Sequence, residues 1–400
     1  MDIKPVKVVS SIMGSGKTTW AINYINNASP LERFIYITPL LDECKRIITS
    51  ATNRDFVEPS QNVTGGRKLT SLKQLIENGK DIAASHRLFE MADDELRELL
   101  RENNYTLILD EVMNVVSKAS VSPADMRLLR DKGFIEIENY RVKWTASELD
   151  YDYGVYDDIK LQAQSGTLFY MNDTFLIYAF PPSIFETFSS VYVLTYLFDA
   201  QLMKYYFDLY DIPYELQSIK DGELVPYNER LEKREELRKL INLYEGNHNR
   251  HGEPSNAFGV RWFGRQSDES LEEIRKSMQS YVRKIAKAKT KDIMWTTKKN
   301  YMHDLKGKGY TKGFVPCNAR ATNEYQHCTT LMYMYNRFIN PIESKFFEGH
   351  GIPVDQNKLA VSDLLQWIWR SNIRQGGQIN LYMPSSRMRE LLDKWSRYEI

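Results

Sequence analysis

Val6-Lys7-Val8-Val9-Ser10-Ser11-Ile12-Met13-Gly14-Ser15-Gly16-Lys17-Thr18 is the stretch whose reading decides the fold. Its valine-rich first half reads as a buried strand, and the residues from Lys17 to about Asn27 read as a helix. Between them lies a glycine turn. A strand, tight loop and helix in this order aim successive backbone N–H groups and a helix N-terminus at a phosphate. In that arrangement Lys17 reaches the β- and γ-phosphates and the Thr18 hydroxyl completes a Mg²⁺ shell, with Gly14, Ser15, Gly16 and Thr19 also contacting the nucleotide. The strict pattern G-x-x-x-x-G-K-[ST] has glycine at its first position, where Ser11 stands; a small residue there still permits the turn. A chance Gly-Lys-Thr turn is the alternative, and the flanking strand and helix weigh against it.

Outward from this stretch, short apolar runs alternate with helical patterns. FIYIT (34–38), DIAAS (81–85), TLILD (106–110) and VYVLT (191–195) read as strands, with SLKQLIEN (71–78) and DDELRELLREN (93–103) as helices between them. Such alternation predicts a parallel sheet covered on both faces. Residues 139–180 break the rhythm: YRVKWT, GTLFYM and TFLIYAF read as hairpin arms, an irregular β-containing elaboration. A second alternating region follows, with strands expected at DIMWTT (292–297), GFVPC (313–317), TTLMYMY (329–335) and INLYM (379–383), and a helix at 361–374. The expected fold is therefore α/β, two halves in tandem with parallel sheets, spanning 1–205 and 206–400. Length agrees, since 400 residues suffice for two or three cores.

LILDE ends an apolar strand on two acids. Asp110 is placed to hold Mg²⁺ through water, and Glu111 to polarise a water attacking a γ-phosphate. Alone, such a pair is ordinarily a solvated turn; in one sheet with the Gly-Lys-Thr loop it reads as a nucleoside triphosphate hydrolysis site.

Composition narrows the classes further. Lys+Arg and Asp+Glu are 53 each, so no overall basic field announces a polyanion, although a groove can be basic while the remaining surface compensates. Three cysteines, Cys44, Cys317 and Cys328, are too scattered for a disulfide framework or a zinc cluster, and a reducing cytoplasmic compartment is expected. The opening MDIKPVK enters a strand by Val8, so no signal peptide is expected, and the most apolar stretch, 174–185, is too short to span a bilayer. No membrane partner is expected. His248 and His251 flank a loop without completing a metal set.

At this point the motifs resemble a known family. Ser11 to Thr18 is similar to the first motif of superfamily 2 helicases of the DExD/H type, Ile37-Thr38-Pro39-Leu40-Leu41 to their motif Ia, and Ala84-Ser85-His86 to the short motif that touches the strand in domain one. Asp110-Glu111-Val112-Met113 resembles the DExx box, and Leu194-Thr195-Tyr196 stands where the Ser-Ala-Thr motif belongs, with only the Thr retained. Ile293 to Thr297 is placed like motif IV, and Val315 to Asn323 like motif V. Gln366, Arg370 and Arg374 resemble the Q-x-x-G-R-x-x-R arginine-finger motif, with Trp369 for Gly and the second Arg one residue late. The compact length and the WIWRS…INLYMPSSRMR ending resemble the phage-encoded branch. The matches run in family order over most of the chain, with 140–290 poorly matched.

The resemblance implies two RecA-like P-loop domains in tandem, forming an ATP- and Mg²⁺-dependent helicase or translocase on single-stranded or forked DNA, RNA remaining open, that works as a monomer or weak oligomer in phage DNA metabolism in the host cytoplasm. Arginines of the second half would complete the nucleotide site when a cleft closes; Arg370 and Arg374, four apart on one expected helix, face the same way. Thr38, Pro39, Ser85, His86 and Asn318 would contact the strand. From Arg275 to Lys299 nine Lys/Arg stand against one acid, and Lys284, Lys287 and Lys291 in this tract suit phosphate contacts, or else an ordinary solvated face. Two alternatives share the nucleotide chemistry. One is a DNA-packaging motor ATPase, although the acidic nuclease cluster expected after it is absent here. The other is a nucleotide-switched protein that binds or anneals strands.

Overall fold

The computed structural model describes residues 4–62, 68–119, 121–138, 140–151, 154–171, 175–317 and 324–400. The chain divides into two compact units. The first comprises Met1–Ser11, Gly16–Tyr227 and Asn340–Val354; the second comprises Ile12–Ser15, Asn228–Ile339 and Asp355–Ile400.

The valine-rich opening forms β1 (Val6–Ser10), and the other apolar runs form β2 (Arg33–Thr38), β3 (Phe56–Val57), β4 (Asp81–Ser85), β5 (Tyr105–Asp110), β6 (Val116–Lys118), β7 (Ile135–Glu138), β8 (Arg141–Trp144), β9 (Leu168–Met171), β10 (Phe175–Ala179), β11 (Ser190–Thr195), β12 (Tyr214–Lys220) and β13 (Glu223–Pro226). The main sheet runs β13-β12-β1-β11-β5-β2-β4-β3. All its pairs are parallel except β12 with β13. Its central strands are apolar on both faces because each face is covered. Val8, Ile35, Ile37, Leu107 and Leu109 enter one core, and Val9, Phe34, Tyr36, Ile108 and Leu194 enter the other with Trp20 and Ile25 of the helix Lys17–Asn27. The first unit runs past the boundary expected near residue 205. Its helix Leu202–Leu209 buries Met203, Tyr206 and Phe207 in the first core, and β12 lies parallel against β1.

The elaboration is larger than the expected 139–180. It is an antiparallel sheet ordered β6-β10-β9-β8-β7, carrying the helices Pro123–Asp131 and Asp157–Gln164. Period-two alternation gives it two faces. Ile135, Val142 and Leu168 pack with Met126, Leu129, Ile159 and Ala163 of the two helices. Phe169 and Ile177 turn the other way into the main core, where the Phe169 and Phe346 rings lie 5.9 Å apart. Phe346 belongs to the helix Pro341–Gly349, which no periodic signal had separated from the second half. Proline at its first turn and Asn340 as N-cap start that helix.

In the second unit β14 (Ile241–Leu243), β15 (Ile293–Thr297), β16 (Thr330–Met334) and β17 (Ile379–Tyr382) form a parallel sheet ordered β14-β17-β16-β15. The expected strand at 313–317 is reduced to a single parallel bridge between Phe314 and Trp295, with Val315 N–H bonded to the Trp295 carbonyl at 2.9 Å. The charged tract ERLEKREELRKLINLYE (229–245), whose composition reads as helical, is not one helix: Lys233, at φ 52, separates a short 3₁₀ turn from the helix Arg234–Lys239, and Ile241 then opens β14. Trp295 is fully buried and packs on Tyr310 and Phe314, so it is a core residue rather than a base-stacking one.

The fully buried Phe346 carries the first testable consequence. Phe346→Ala removes ring contacts to Phe169 and Phe347 and should destabilise the first unit by about 3–5 kcal/mol, the usual loss for an aromatic cut back in a core. Urea unfolding followed by tryptophan fluorescence and by far-ultraviolet dichroism measures it; a loss below 1 kcal/mol would show that the helix is a dispensable cover.

Candidate nucleotide-binding site

The phosphate loop begins where β1 ends. Gly14 at φ 83 and Gly16 at φ 93 occupy the left-handed region that glycine enters without a steric penalty, and Gly16 caps the helix Lys17–Asn27. Ser11, standing where the strict pattern has glycine, uses both its polar groups: its Oγ accepts from the Ile219 N–H at 2.9 Å, and its carbonyl accepts from Lys17 Nζ at 2.5 Å. The substitution thus ties the loop to β12. Lys17 is buried, Thr18 is half-buried and Thr19 is exposed.

Parallel strands deliver the remaining groups to the same end of the sheet. β11 lies between β1 and β5, and its last two carbonyls hold both neighbours: Thr195 O accepts from Ser11 N–H at 3.1 Å, and Leu194 O from Glu111 N–H at 2.8 Å. The Thr18 hydroxyl lies 3.3 Å from Asp110 Oδ2. Lys17, Thr18, Asp110 and Glu111, named from separate motifs, therefore meet in one unit. Glu111 has φ 66, a conformation costly for a residue with a β-carbon, and such strain gathers at functional sites. Thr18 Oγ and the Asp110 carboxylate are hard oxygen donors a few ångströms apart, the donor set that suits Mg²⁺ carrying waters and phosphate oxygens.

Three features of this site went unread in the sequence. Tyr36 donates its phenolic hydrogen to Asp110 Oδ2 at 2.6 Å; burial, with the carboxylate beside it, holds that phenol well above its ordinary range. A hydroxyl within the otherwise apolar run Phe34–Ile37 was the available signal. Thr38 and Thr195 end β2 and β11 with fully buried Oγ1 atoms that lack a hydrogen-bond partner among the described residues. Third, His86 Nε2 lies 3.0 Å from the carbonyl oxygen of Asp110.

The nucleic-acid candidates fall in different places. Thr38 and Ser85 end neighbouring parallel strands, and Ser85 Oγ caps the short helix His86–Phe89. His86 is buried and engaged with Asp110, while Pro39 is half-buried. Asn318 lies outside the described residues. Lys284, Lys287 and Lys291 are exposed and form no ion pair among the described residues, but they do not share one helix face. The α-helix Asp268–Ser280 widens into a π turn at Tyr281–Ile285, which buries Tyr281 and Val282, and Lys287 at φ 47 breaks the run.

The arginines also depart from expectation. Arg370 and Arg374 are not on one helix. The helix Gln356–Ile368 ends as the Ser371 hydroxyl bonds the Ile368 carbonyl at 2.6 Å, and Ser371, in extended conformation, opens a 3₁₀ turn at Asn372–Gln375. Trp369, where the family pattern has glycine, is buried against Trp395. Arg370 is buried with its Nε donating to the Gln366 carbonyl at 3.3 Å, whereas Arg374 is exposed and makes no ion pair among the described residues. Gln366 is half-buried.

Comparison with known proteins follows this geometry. The family described as the YonV C-terminal Rossmann-like domain matches residues 235–396, and the YonV middle domain matches residues 116–178, the β6–β10 elaboration. The SPbeta prophage-derived protein YonV of Bacillus subtilis (strain 168) is 43% identical over 403 residues, covering 98% of each chain. Among solved structures, XPD in its apo form superposes with a TM-score of 0.54 at 12% identity, covering 98% of this chain and 95% of XPD. Xpd4 of S. tokodaii gives 0.51 at 10% identity, covering 99% and 94%. At such identities the likeness is one of fold alone, tandem Rossmann/RecA-like α/β domains with parallel sheets. With a full-length relative at this identity and two matching domains in order, the chain belongs to the YonV family.

Proposed function

We propose that the chain is an ATP-dependent helicase or translocase acting on DNA, working in phage DNA metabolism. The observation that carries this reading is the convergence of Lys17, Thr18, Asp110 and a left-handed Glu111 at one end of a parallel sheet. The superfamily 2 fold supports it, and the prophage origin of the relative supports the phage setting. Bound Mg²⁺ would neutralise charge on the β- and γ-phosphates, with Thr18 and Asp110 as its protein ligands, directly or through water. The chain's own groups do the rest. Loop N–H groups and Lys17 hold the phosphates, Glu111 orients the attacking water, and Arg374 supplies a planar guanidinium for charge developing on the γ-phosphoryl oxygens. Thr38, Pro39, Ser85, Asn318 and the exposed lysines 284, 287 and 291 are proposed as backbone contacts, which carry no sequence code. A nucleotide-switched strand binder or a packaging motor would share the nucleotide site. Strand displacement under multiple turnovers on forked, 3′-tailed and 5′-tailed duplexes, in DNA and RNA versions, separates them.

Lys17→Ala should weaken nucleotide binding, because a cation at the phosphates is lost. Glu111→Gln should keep binding and lower turnover by about 100-fold or more, because only the alignment of water is lost. Near-normal stimulated hydrolysis in Glu111→Gln, measured by phosphate release, would remove the acidic pair from the mechanism.

Nucleic acid of arbitrary sequence should stimulate hydrolysis, and the stimulation should fade with salt as counterions return to the phosphates. Reversing Lys284, Lys287 and Lys291 to Glu should reduce the log–log salt slope of single-strand binding by about 2, at roughly 0.7 per phosphate contact. Fluorescence anisotropy across a salt series measures this; an unchanged slope makes the tract a solvated face.

Arg374→Ala should leave nucleotide affinity close to wild type and lower stimulated turnover by about 10³-fold, as loss of an arginine finger does. Arg374→Lys should not rescue, since a point charge lacks the fork that matches phosphate oxygens. Arg370→Ala should act mainly on stability, because its guanidinium is buried on its own helix end. Wild-type turnover in folded Arg374→Ala would assign this arginine to the surface.

A further inference from the structure

Tyr36 sits two residues before the end of β2, in register with Ile108 of β5. Along a strand two residues span about 6.6 Å, close to the reach of a tyrosine from Cα to hydroxyl. A side chain standing on β2 at this position therefore brings its oxygen level with Asp110, the last residue of β5, on the same face of the sheet. The hydroxyl meets Asp110 Oδ2 at 2.6 Å, and the Thr18 hydroxyl lies 3.3 Å from that same oxygen. Asp110 Oδ1 has no hydrogen bond among the described residues. Tyr36 itself is fully buried in a core of Trp20, Phe34, Ile108 and Leu194. A phenylalanine would fill that space equally well, and a buried hydroxyl is costly unless it is bonded. The oxygen's one hydrogen bond among the described residues is to Asp110.

We infer that Tyr36 is a positioning residue for Asp110: its hydroxyl fixes one carboxylate oxygen from below the sheet edge and leaves the other to face the metal of a bound Mg²⁺-nucleotide. This rests on the nucleotide reading of the site given above. A carboxylate held by a buried donor keeps one rotamer, so the oxygen offered to the metal is pre-set rather than recruited on binding. His86 holds the main-chain carbonyl of the same residue at 3.0 Å, so backbone and side chain of Asp110 are fixed by different strands' ends.

The test uses the full chain and a fluorescent N-methylanthraniloyl-ATP, titrated with Mg²⁺ at fixed nucleotide. In Tyr36→Phe the Mg²⁺ concentration for half-maximal binding should rise about tenfold, the scale of one hydrogen bond to a charged group. Nucleotide binding without Mg²⁺ should stay near wild type. Asp110→Asn should lose most of the Mg²⁺ dependence, and adding Tyr36→Phe to it should change nothing more, since the two act through one contact. A half-saturating Mg²⁺ concentration within twofold of wild type in Tyr36→Phe overturns the assignment. So does an effect of Tyr36→Phe that persists undiminished in Asp110→Asn, and so does loss of folding in Tyr36→Phe, which would make the hydroxyl a stability element. Failure of the wild-type chain to bind the Mg²⁺-nucleotide is distinguishable from all of these, and overturns the nucleotide reading together with the inference.

Discussion

Two main-chain carbonyls at the end of one strand organise the site. Leu194 O and Thr195 O, the last acceptors of β11, receive the N–H groups of Glu111 and Ser11. Because β11 lies between β1 and β5, the phosphate loop and the acidic turn are referenced to the same two peptide units rather than to each other. A backbone hydrogen bond in a buried sheet is hard to break without leaving an unpaired polar group. The relative position of Ser11 and Glu111 is therefore as rigid as the sheet. Glu111 donates in the regular parallel ladder and then departs from it at φ 66, so the chain leaves β5 at the residue that the bond holds.

Around that reference the polar groups are arranged by strand length. β1, β2, β4, β5 and β11 all end within reach of one edge, where open parallel sheets present ligands. Ser11, Thr38, Ser85, Asp110 and Thr195 are the residues at or just beyond those ends. The interior just before them is largely apolar, and Tyr36 carries a hydroxyl from that core to the edge. Hydroxyls of Thr38 and Thr195, buried without a partner among the described residues, are the kind of group that a ligand or ordered water satisfies.

The elaboration spanning β6 to β10 obeys a different physics. Its strands are antiparallel and alternate, so one face builds a small core with its own two helices while the other joins the main core. The helix Pro341–Gly349, far along the chain, completes that junction with Phe346 and Phe347. A non-local contact of this kind leaves no mark on local periodicity.

What the amino-acid order determined by itself was whatever depends on short spacing. Gly14, Gly16, Lys17 and Thr18 read as a tight loop before a helix, and the apolar runs ending at Asp110 and Thr195 as buried strands; fold class and the two-part organisation were legible there. Where long-range packing decides, the order was silent or misleading. Arg370 and Arg374 are spaced for one helix, yet that helix ends at Ile368, where the Ser371 hydroxyl takes the Ile368 carbonyl, and Arg374 lies in a separate 3₁₀ turn. Lys284, Lys287 and Lys291 belong to one basic tract, yet the π turn at Tyr281–Ile285 and the left-handed Lys287 keep them off a common helix face. Phe314 has strand composition, yet forms only a bridge to Trp295. Only the tertiary structure decided which strand neighbours which. That choice puts Tyr36 against Asp110, 74 positions apart, because contact between residues so distant follows from sheet order and register, which no local pattern encodes.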